Sequence, residues 1–403
     1  MTHLEYKRRT PLPTTAEEAF AWHLREGAFD RLKPPFDPVR VESRSHGTLA
    51  DGDEVVLRVG RPIGLRWTAS HDVHPSELTF RDVQVRGPFA RWEHTHRFVS
   101  GGTTDGPAKA TLADEIEIDF PLGPLGRAFG TPILRRKLDR MFAYRERMLT
   151  GDLGARATWA GPPPSRVLVT GATGLVGRSL VAFLRTRGDE VLPVGRTRTD
   201  RAPWFSAEPP SERSPETSTG TPAEAARNAD LSPAGRFDAL VHLAGENIAA
   251  RHWSTRQRAR IRDSRVHGTR RIAEAVAAMP APPKVLVCAS AIGMYGDRGD
   301  EELTERSPAG DGFLPDVCRE WEEAALPAAE AGIRVVHVRI GLVLTPAGGA
   351  LGVMLLPFRF GVGGRLGSGR QWMSWISIES VSLSGSTSEC DTGIAIAVSS
   401  SPV

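Results

Sequence analysis

Tyrosine is nearly missing from this chain: 403 residues hold only three, Tyr6, Tyr144 and Tyr295. Cysteine is as scarce. Cys288, Cys318 and Cys390 are odd in number and not clustered, which excludes a disulfide framework and a cysteine zinc knuckle and fits a reducing compartment. Long apolar runs are also lacking. The best stretch, Leu351 to Phe360, is broken by Pro357 and Arg359 and falls far short of the ~20 residues of a membrane span. Met1 to Arg9 mixes Glu5 with Lys7, Arg8 and Arg9 around no apolar core, unlike a signal peptide. Neither sign of charge dominates: 51 basic residues face 48 acidic ones, for a net +3, so no broad footprint for nucleic acid is expected. With 40% hydrophobic and 25% charged residues, the expectation is a soluble cytoplasmic protein of two or three domains, with no membrane or nucleic-acid partner.

Composition divides the chain. Gly161-Pro-Pro-Pro164 reads as a stiff linker, placed at 156–165 and closing a first domain over 1–155. A second domain is expected over 166–380. Within it, 206–236 is rich in Pro, Ser, Thr and Glu and poor in large apolar residues, which predicts a mobile loop.

In the first domain, Thr15-Ala-Glu-Glu18 is a capping box opening a helix through Leu24. Strands are predicted over 54–59, 78–85, 90–98 and 114–120; in the last, Ile116, Ile118 and Phe120 alternate with acidic residues. Leu134, Leu138, Met141, Phe142 and Met148 then recur at helical spacing over 133–149. Short helix, antiparallel strands and long final helix, with Gly87-Pro-Phe-Ala-Arg-Trp-Glu-His-Thr-His96, resemble the START/polyketide-cyclase-like (SRPBCC) superfamily over about residues 3–153. That resemblance implies an α+β helix-grip fold cradling an apolar ligand. Trp92, His94, His96 and Phe98 share one strand face. His-x-His is a metal-ligand spacing, but the sequence places no third ligand, so two hydrogen-bonded core histidines and no metal are expected.

The second domain alternates strands and helices, which predicts an α/β Rossmann-type, doubly wound parallel sheet. Val167-Leu-Val-Thr-Gly171-Ala172-Thr173-Gly174-Leu175-Val176-Gly177 reads strand, glycine turn, helix. Gly171 permits the tight turn, Gly174 lets backbone approach a pyrophosphate, and Gly177 lets helix and strand pack closely. The second strand ends in Gly195-Arg196-Thr-Arg198, where an acidic residue would accept the ribose hydroxyl of NAD. Arginine there suits a 2′-phosphate, so NADP is favoured with NAD possible; a pair of solvated loop charges is the alternative. The third strand ends in His242-Leu243-Ala244-Gly245, a small-residue turn that lets chain pass beside the adenosine or is simply a strand end.

These segments, with Leu243-Ala244-Gly245-Glu246-Asn-Ile248, Ser290-Ala-Ile-Gly-Met-Tyr-Gly296, Gly312-Phe-Leu-Pro-Asp-Val-Cys-Arg-Glu-Trp-Glu322 and the run from Gly363 to Ile376, resemble the atypical extended short-chain dehydrogenase/reductases of the "epimerase family", nucleoside-diphosphate-sugar epimerase-like proteins. The resemblance covers residues 166 to 379 and implies that Gly171 to Gly177, Arg196 and Leu243 to Glu246 hold the cofactor. In working members a Ser, a Tyr and a Lys carry the chemistry. Ser290 fits the first. The Tyr-x-x-x-Lys step falls on Leu314 and Cys318, neither of them competent. Tyr295, five residues after Ser290, is either a substitute proton donor or a packing aromatic, with packing favoured. Cys318 reads as a buried structural thiol.

Arg251 to Arg265 holds six arginines, of which Arg258, Arg262 and Arg265 share a helical face, either gripping a substrate diphosphate or lining a solvated or domain-facing helix. After Glu379 the text departs from the family: residues 381–403 carry seven serines and no Lys or Arg, so a non-homologous, disordered tail in place of a substrate-binding lobe is expected, as in a truncated relative. Two functions stay open: an NADP-dependent epimerase or oxidoreductase acting on a nucleotide sugar or similar hydroxy/keto compound, and a catalytically silent NADP(H)-binding module.

Overall fold

The computed structural model describes residues 3–60, 64–101, 109–158, 165–194, 231, 235–249, 251–365, 367–380, 394–397 and 399–402. Arg196, Arg198, the proline linker and almost all of the expected mobile loop lie outside them. The chain forms two compact units, Met1–Pro163 with Ala182–Gly188, and Pro164–Val181 with Asp189–Val403. Among the described residues no helix is long and apolar enough to cross a membrane.

The first unit runs β1 (His3–Leu12), α1 (Ala16–Leu24), α2 (Ala28–Leu32), β2 (Val39–Arg44), β3 (Glu54–Val59), β4 (Leu65–His74), β5 (Thr79–Arg86), β6 (Arg91–Ser100), β7 (Ala110–Asp119) and α3 (Gly123–Thr158). Its seven strands form one antiparallel sheet in the order β1-β7-β6-β5-β4-β3-β2. Thr15 caps α1 as expected, its hydroxyl accepting from the Glu18 amide at 3.3 Å. Ile116 and Ile118 of β7 meet Leu138 and Phe142 of α3, with Leu4 and Tyr6 of β1 beside them, so the sheet's apolar face is sealed by the long helix. Three strands escaped the sequence reading. β1, for instance, interleaves apolar residues with His3, Glu5, Lys7 and Arg9 and carries Pro11, which a sheet tolerates only at an edge, where β1 lies. Helix α3 also starts ten residues before the predicted helix, because its first turns contain glycines and Pro132 that weaken the periodic signal.

The second unit runs β8 (Arg166–Thr170), α4 (Leu175–Arg187), β9 (Glu190–Val194), β10 (Ala239–His242), α5 (Thr255–Ala277), β11 (Val285–Ala291), α6 (Phe313–Glu323), α7 (Leu326–Glu330), β12 (Arg334–Ile340), β13 (Leu342–Leu344), α8 (Gly349–Arg359), β14 (Trp372–Ser377), β15 (Ile394–Ala397) and β16 (Ser399–Pro402). A parallel six-stranded sheet has the order β15-β12-β11-β10-β8-β9. Leu168, Leu240 and Leu286 on its central strands pack with Ile272 and Val276 of α5 and Ala328 of α7, as expected for strands buried on both faces. The tail differs from its expectation: β15 adds to β12 and β16 pairs antiparallel with β14. An open edge of β12 offers a row of amides and carbonyls, and the two β-branched isoleucines of the Ile-Ala-Ile-Ala segment suit a strand.

Candidate functional site

The strand order reverses direction at β8. The chain goes from β8 to β9 on one side, then returns to β10 on the other. In open α/β sheets ligands bind at such a switch point, beyond the carboxyl ends of the strands. Gly171 to Gly174 and Leu243 to Glu246 occupy those two ends.

Gly171 has φ +70°, and a Cβ there would sit 2.7 Å from the Leu243 carbonyl carbon. The turn after β8 therefore bears directly on the loop after β10. Gly177 is closer still: a Cβ would lie 2.2 Å from the Gly171 carbonyl oxygen, so only glycine lets α4 start this near the strand. Leu175 packs toward Gly348 and Gly349, and Val176 joins Val338 and Ile376, so both side chains turn inward while Thr173 and Gly174 are exposed. First-turn amides of α4 have no earlier carbonyl in their helix to bond and carry the positive end of its dipole. An exposed, glycine-lined helix start with its side chains directed away is a cradle that fits a dinucleotide pyrophosphate. Ala172 is buried, its amide bonding the Val194 carbonyl at 3.4 Å. The Leu243 amide bonds the Thr170 carbonyl at 3.1 Å, and the Glu246 amide bonds Ser264 Oγ at 3.0 Å. Ala244 and Gly245 continue this loop, Gly245 exposed 3.6 Å in Cβ reach of the Arg265 guanidinium.

At the end of β11, Ser290 and Tyr295 are built into a buried network. Ser290 donates to Glu322 at 2.6 Å. Arg339 donates to both Glu322 oxygens at 2.9 and 2.8 Å and to the Tyr295 hydroxyl at 2.8 Å. Burial raises the Glu322 pKa, but Arg339 and Ser290 outweigh it and hold the carboxyl below its ordinary value; Arg339 is raised in turn. Glu322 is thus kept ionised, a poor proton donor. Tyr295 is 2% exposed and packs with Met294 and Cys318. Leu314 and Cys318 lie against Gly293, at 3.5 and 3.7 Å from its Cβ position, so the expected Tyr and Lys positions face the Ser290 region but carry a leucine and a thiol. Burial pushes Cys318 up to about 11 and Cys288 to about 12, so neither thiol is a nucleophile.

The three arginines expected to share a face of α5 engage neighbouring residues. Arg262 forks onto Glu320 at 2.6 and 2.5 Å, Arg258 lies over Phe313, and Arg265 stacks on Trp321 and donates to the Glu246 carbonyl. Arg258 and Arg262 are exposed, so these contacts fit the solvated-helix alternative.

Within the first unit a cavity of about 570 Å³ is lined by Trp67, Phe80, Trp92, Leu138, Met141 and Arg145, among others. Its wall carries a polar group the sequence did not foresee. Strand alternation puts His94 and His96 on one face, and register sets Asp82 opposite His94 and Asp114 opposite His96. His94 Nε2 lies 3.0 Å from Asp114 Oδ1, His96 Nε2 3.4 Å from Asp82 Oδ2, and His71 Nδ1 2.7 Å from Asp82 Oδ1. His96 Nδ1 is 2.8 Å from Asp114 Oδ1 but off the line of a hydrogen bond, which leaves it buried without an aligned partner. The expected hydrogen bonding of these histidines thus holds for His94 and fails for Nδ1 of His96. The sequence placed no third ligand beside the two histidines; the fold sets Asp82, from the adjacent strand, with a ligand atom within 4.8 Å of those of both rings. Cross-strand register, invisible in a sequence, is what brings it there.

A parallel sheet with a glycine-lined helix start at its switch point defines a Rossmann-type nucleotide-binding protein. Residues 167–315 match the NAD dependent epimerase/dehydratase family. Epimerase family protein Mb2239 of Mycobacterium bovis is 42% identical over 213 residues, 53% of this chain and 65% of that protein. Human epimerase family protein SDR39U1 is 37% identical over 217 residues, 53% and 66% of the two chains. The crystal structure of the nucleoside-diphosphate sugar epimerase from Corynebacterium glutamicum superposes with a TM-score of 0.75 at 34% identity, over 99% of this chain and 79% of that one. The chain belongs to the epimerase family. It spans about 65% of the length of its mycobacterial relatives.

Proposed function

We propose that the second unit binds NADP(H) and that no Tyr/Lys proton relay serves the bound nicotinamide. The observation that carries this reading is the Gly171–Gly177 turn, exposed at the switch point and closed to any side chain at Gly171 and Gly177. Gly171 to Gly177 and Leu243 to Glu246 would hold the pyrophosphate and adenosine through main chain, and Arg196 would meet the 2′-phosphate. When bound, the nicotinamide supplies hydride chemistry. What this chain adds is limited: the Ser290 hydroxyl is engaged donating a hydrogen bond to Glu322, the Tyr295 hydroxyl accepts one from Arg339, and Leu314 and Cys318 offer no acid or base. This favours a binding module over a rapid catalyst.

Titration of the purified chain with NADPH and NADH, followed by nicotinamide fluorescence, tests the reading. NADPH is expected to bind more tightly, and Gly177→Ala, whose Cβ must push the Gly171 turn away from α4, to weaken it at least about tenfold. Absence of binding by either dinucleotide at millimolar concentration overturns it. The second reading, an epimerase or oxidoreductase on a nucleotide sugar with Ser290 and Tyr295 catalytic, is favoured by the position of Ser290 at the carboxyl end of β11. It requires NADPH oxidation by a keto-sugar nucleotide that Ser290→Ala removes.

We further propose that the first unit is a helix-grip domain of the START type, holding an apolar small molecule in the cavity lined by Trp67, Trp92 and Leu138. A hydrophobic fluorescent probe is expected to bind there and to be displaced by Leu138→Trp.

A further inference from the structure

We propose that Asp82, His94 and His96 bind one divalent transition-metal ion in the wall of the first unit's cavity, with an open coordination position facing that cavity. The argument starts from where the register puts these side chains, and it does not depend on the dinucleotide reading. All three line the cavity, and each offers a ligand atom within 4.8 Å of the others. Around zinc, nitrogen and carboxylate ligands at about 2.1 Å in a tetrahedron stand about 3.4 Å apart. His96 Nε2 and Asp82 Oδ2 are already 3.4 Å apart. Closing the rest needs side-chain shifts of about an ångström.

The surroundings fit ligands better than they fit a finished hydrogen-bond cluster. Metal-binding histidines present one nitrogen to the ion and the other to a carboxylate or carbonyl. Asp114 touches one nitrogen of each ring, Nε2 of His94 and Nδ1 of His96, and leaves the other nitrogen of each for an ion. Nδ1 of His96 is buried 2.8 Å from Asp114 with no aligned hydrogen bond of its own. His71 holds one oxygen of Asp82 at 2.7 Å and leaves the other toward His96. His94 and Asp82 therefore each have an outer hydrogen-bond partner in place, and Asp114 stands 2.8 Å from His96 Nδ1 without alignment. Asp82 and Asp114 also set two carboxylates beside the cavity, within electrostatic reach of the buried Arg145. A divalent ion balances such a pair. Two histidines and one carboxylate are a donor set for Zn(II) or Fe(II) with positions left over for an oxygen of a cavity ligand.

The untagged full chain, stripped with a chelator, would be titrated with Co(II) and followed by visible ligand-field absorption, with Zn(II) added in competition. One equivalent is expected to bind and to be displaced by zinc. His94→Gln and Asp82→Asn should abolish it, and Asp114→Asn should weaken it about 10- to 100-fold. His74→Gln, on the exposed end of β4, should leave it unchanged. Should a variant fail to fold, the wild-type chain still decides: zinc is expected to shift the ring resonances of His94 and His96. Lack of stoichiometric binding to the wild type, or binding that survives His94→Gln and Asp82→Asn in folded protein, overturns the proposal.

Discussion

His242 illustrates how much rests on a single buried ring. Its Nδ1 meets Thr170 Oγ1 at 2.7 Å, tying β10 to β8, while Nε2 is buried without a partner. Burial pushes its pKa down to about 4, against about 6.5 in an unfolded chain. Above 6.5 both states are neutral and stability is whole. Between 6.5 and 4 the unfolded chain takes up a proton that the folded chain refuses, so stability falls as pH drops through that window. The loss from this ring reaches up to roughly 3 kcal/mol. His23, also pushed down to about 4 by burial, adds in the same direction. Urea denaturation at pH 7 and pH 4.5 should show this slope, and His242→Asn should flatten it. None of this was legible beforehand, since burial and partner depend on strands far apart in sequence. Gly171, Gly174 and Gly177 were legible, because a turn between strand and helix is a local matter of backbone geometry.

Strands β11 and β12 and helix α6 are joined by the Arg339–Glu322 pair, whose side chains are 8% and 13% exposed. Arg339→Met would strand the Glu322 carboxylate with Ser290 alone. A cost of about 3–5 kcal/mol is expected by chemical denaturation, much of it recovered when Glu322→Leu is added. If the single and double variants are equally unstable, the pair is not what holds these elements together. The parallel strands could be read from the sequence because they are continuous apolar runs buried on both faces. The first unit was harder. Its strands alternate polar and apolar residues over short stretches, and in β2 and β4 charged and polar residues break the alternation, so turn residues on either side bound no clear apolar pattern. Asp82 was hidden for another reason: strands 78–85 and 90–98 were both legible, but not the register that sets it opposite His94 and beside His96.

Each unit of the molecule has its own candidate ligand, and the two depend on chain organisation differently. The first unit's polar group comes from neighbouring antiparallel strands joined by short connections. The second unit's cradle does not: Thr170 and His242, whose contact sets the two walls together, are 72 residues apart. Such non-local parallel pairing forms slowly, after the entropy of closing a long loop has been met. Until β10 docks beside β8, the turn at Gly171 has no opposite bank and nothing to offer a nucleotide. Interactions made only in the finished fold slow unfolding and leave the folding rate untouched. Saturating NADPH should therefore lengthen the lifetime of the folded second unit in stopped-flow unfolding while refolding proceeds at its ligand-free pace. The nucleotide would act as a latch on a door already shut, never as the hand that closes it.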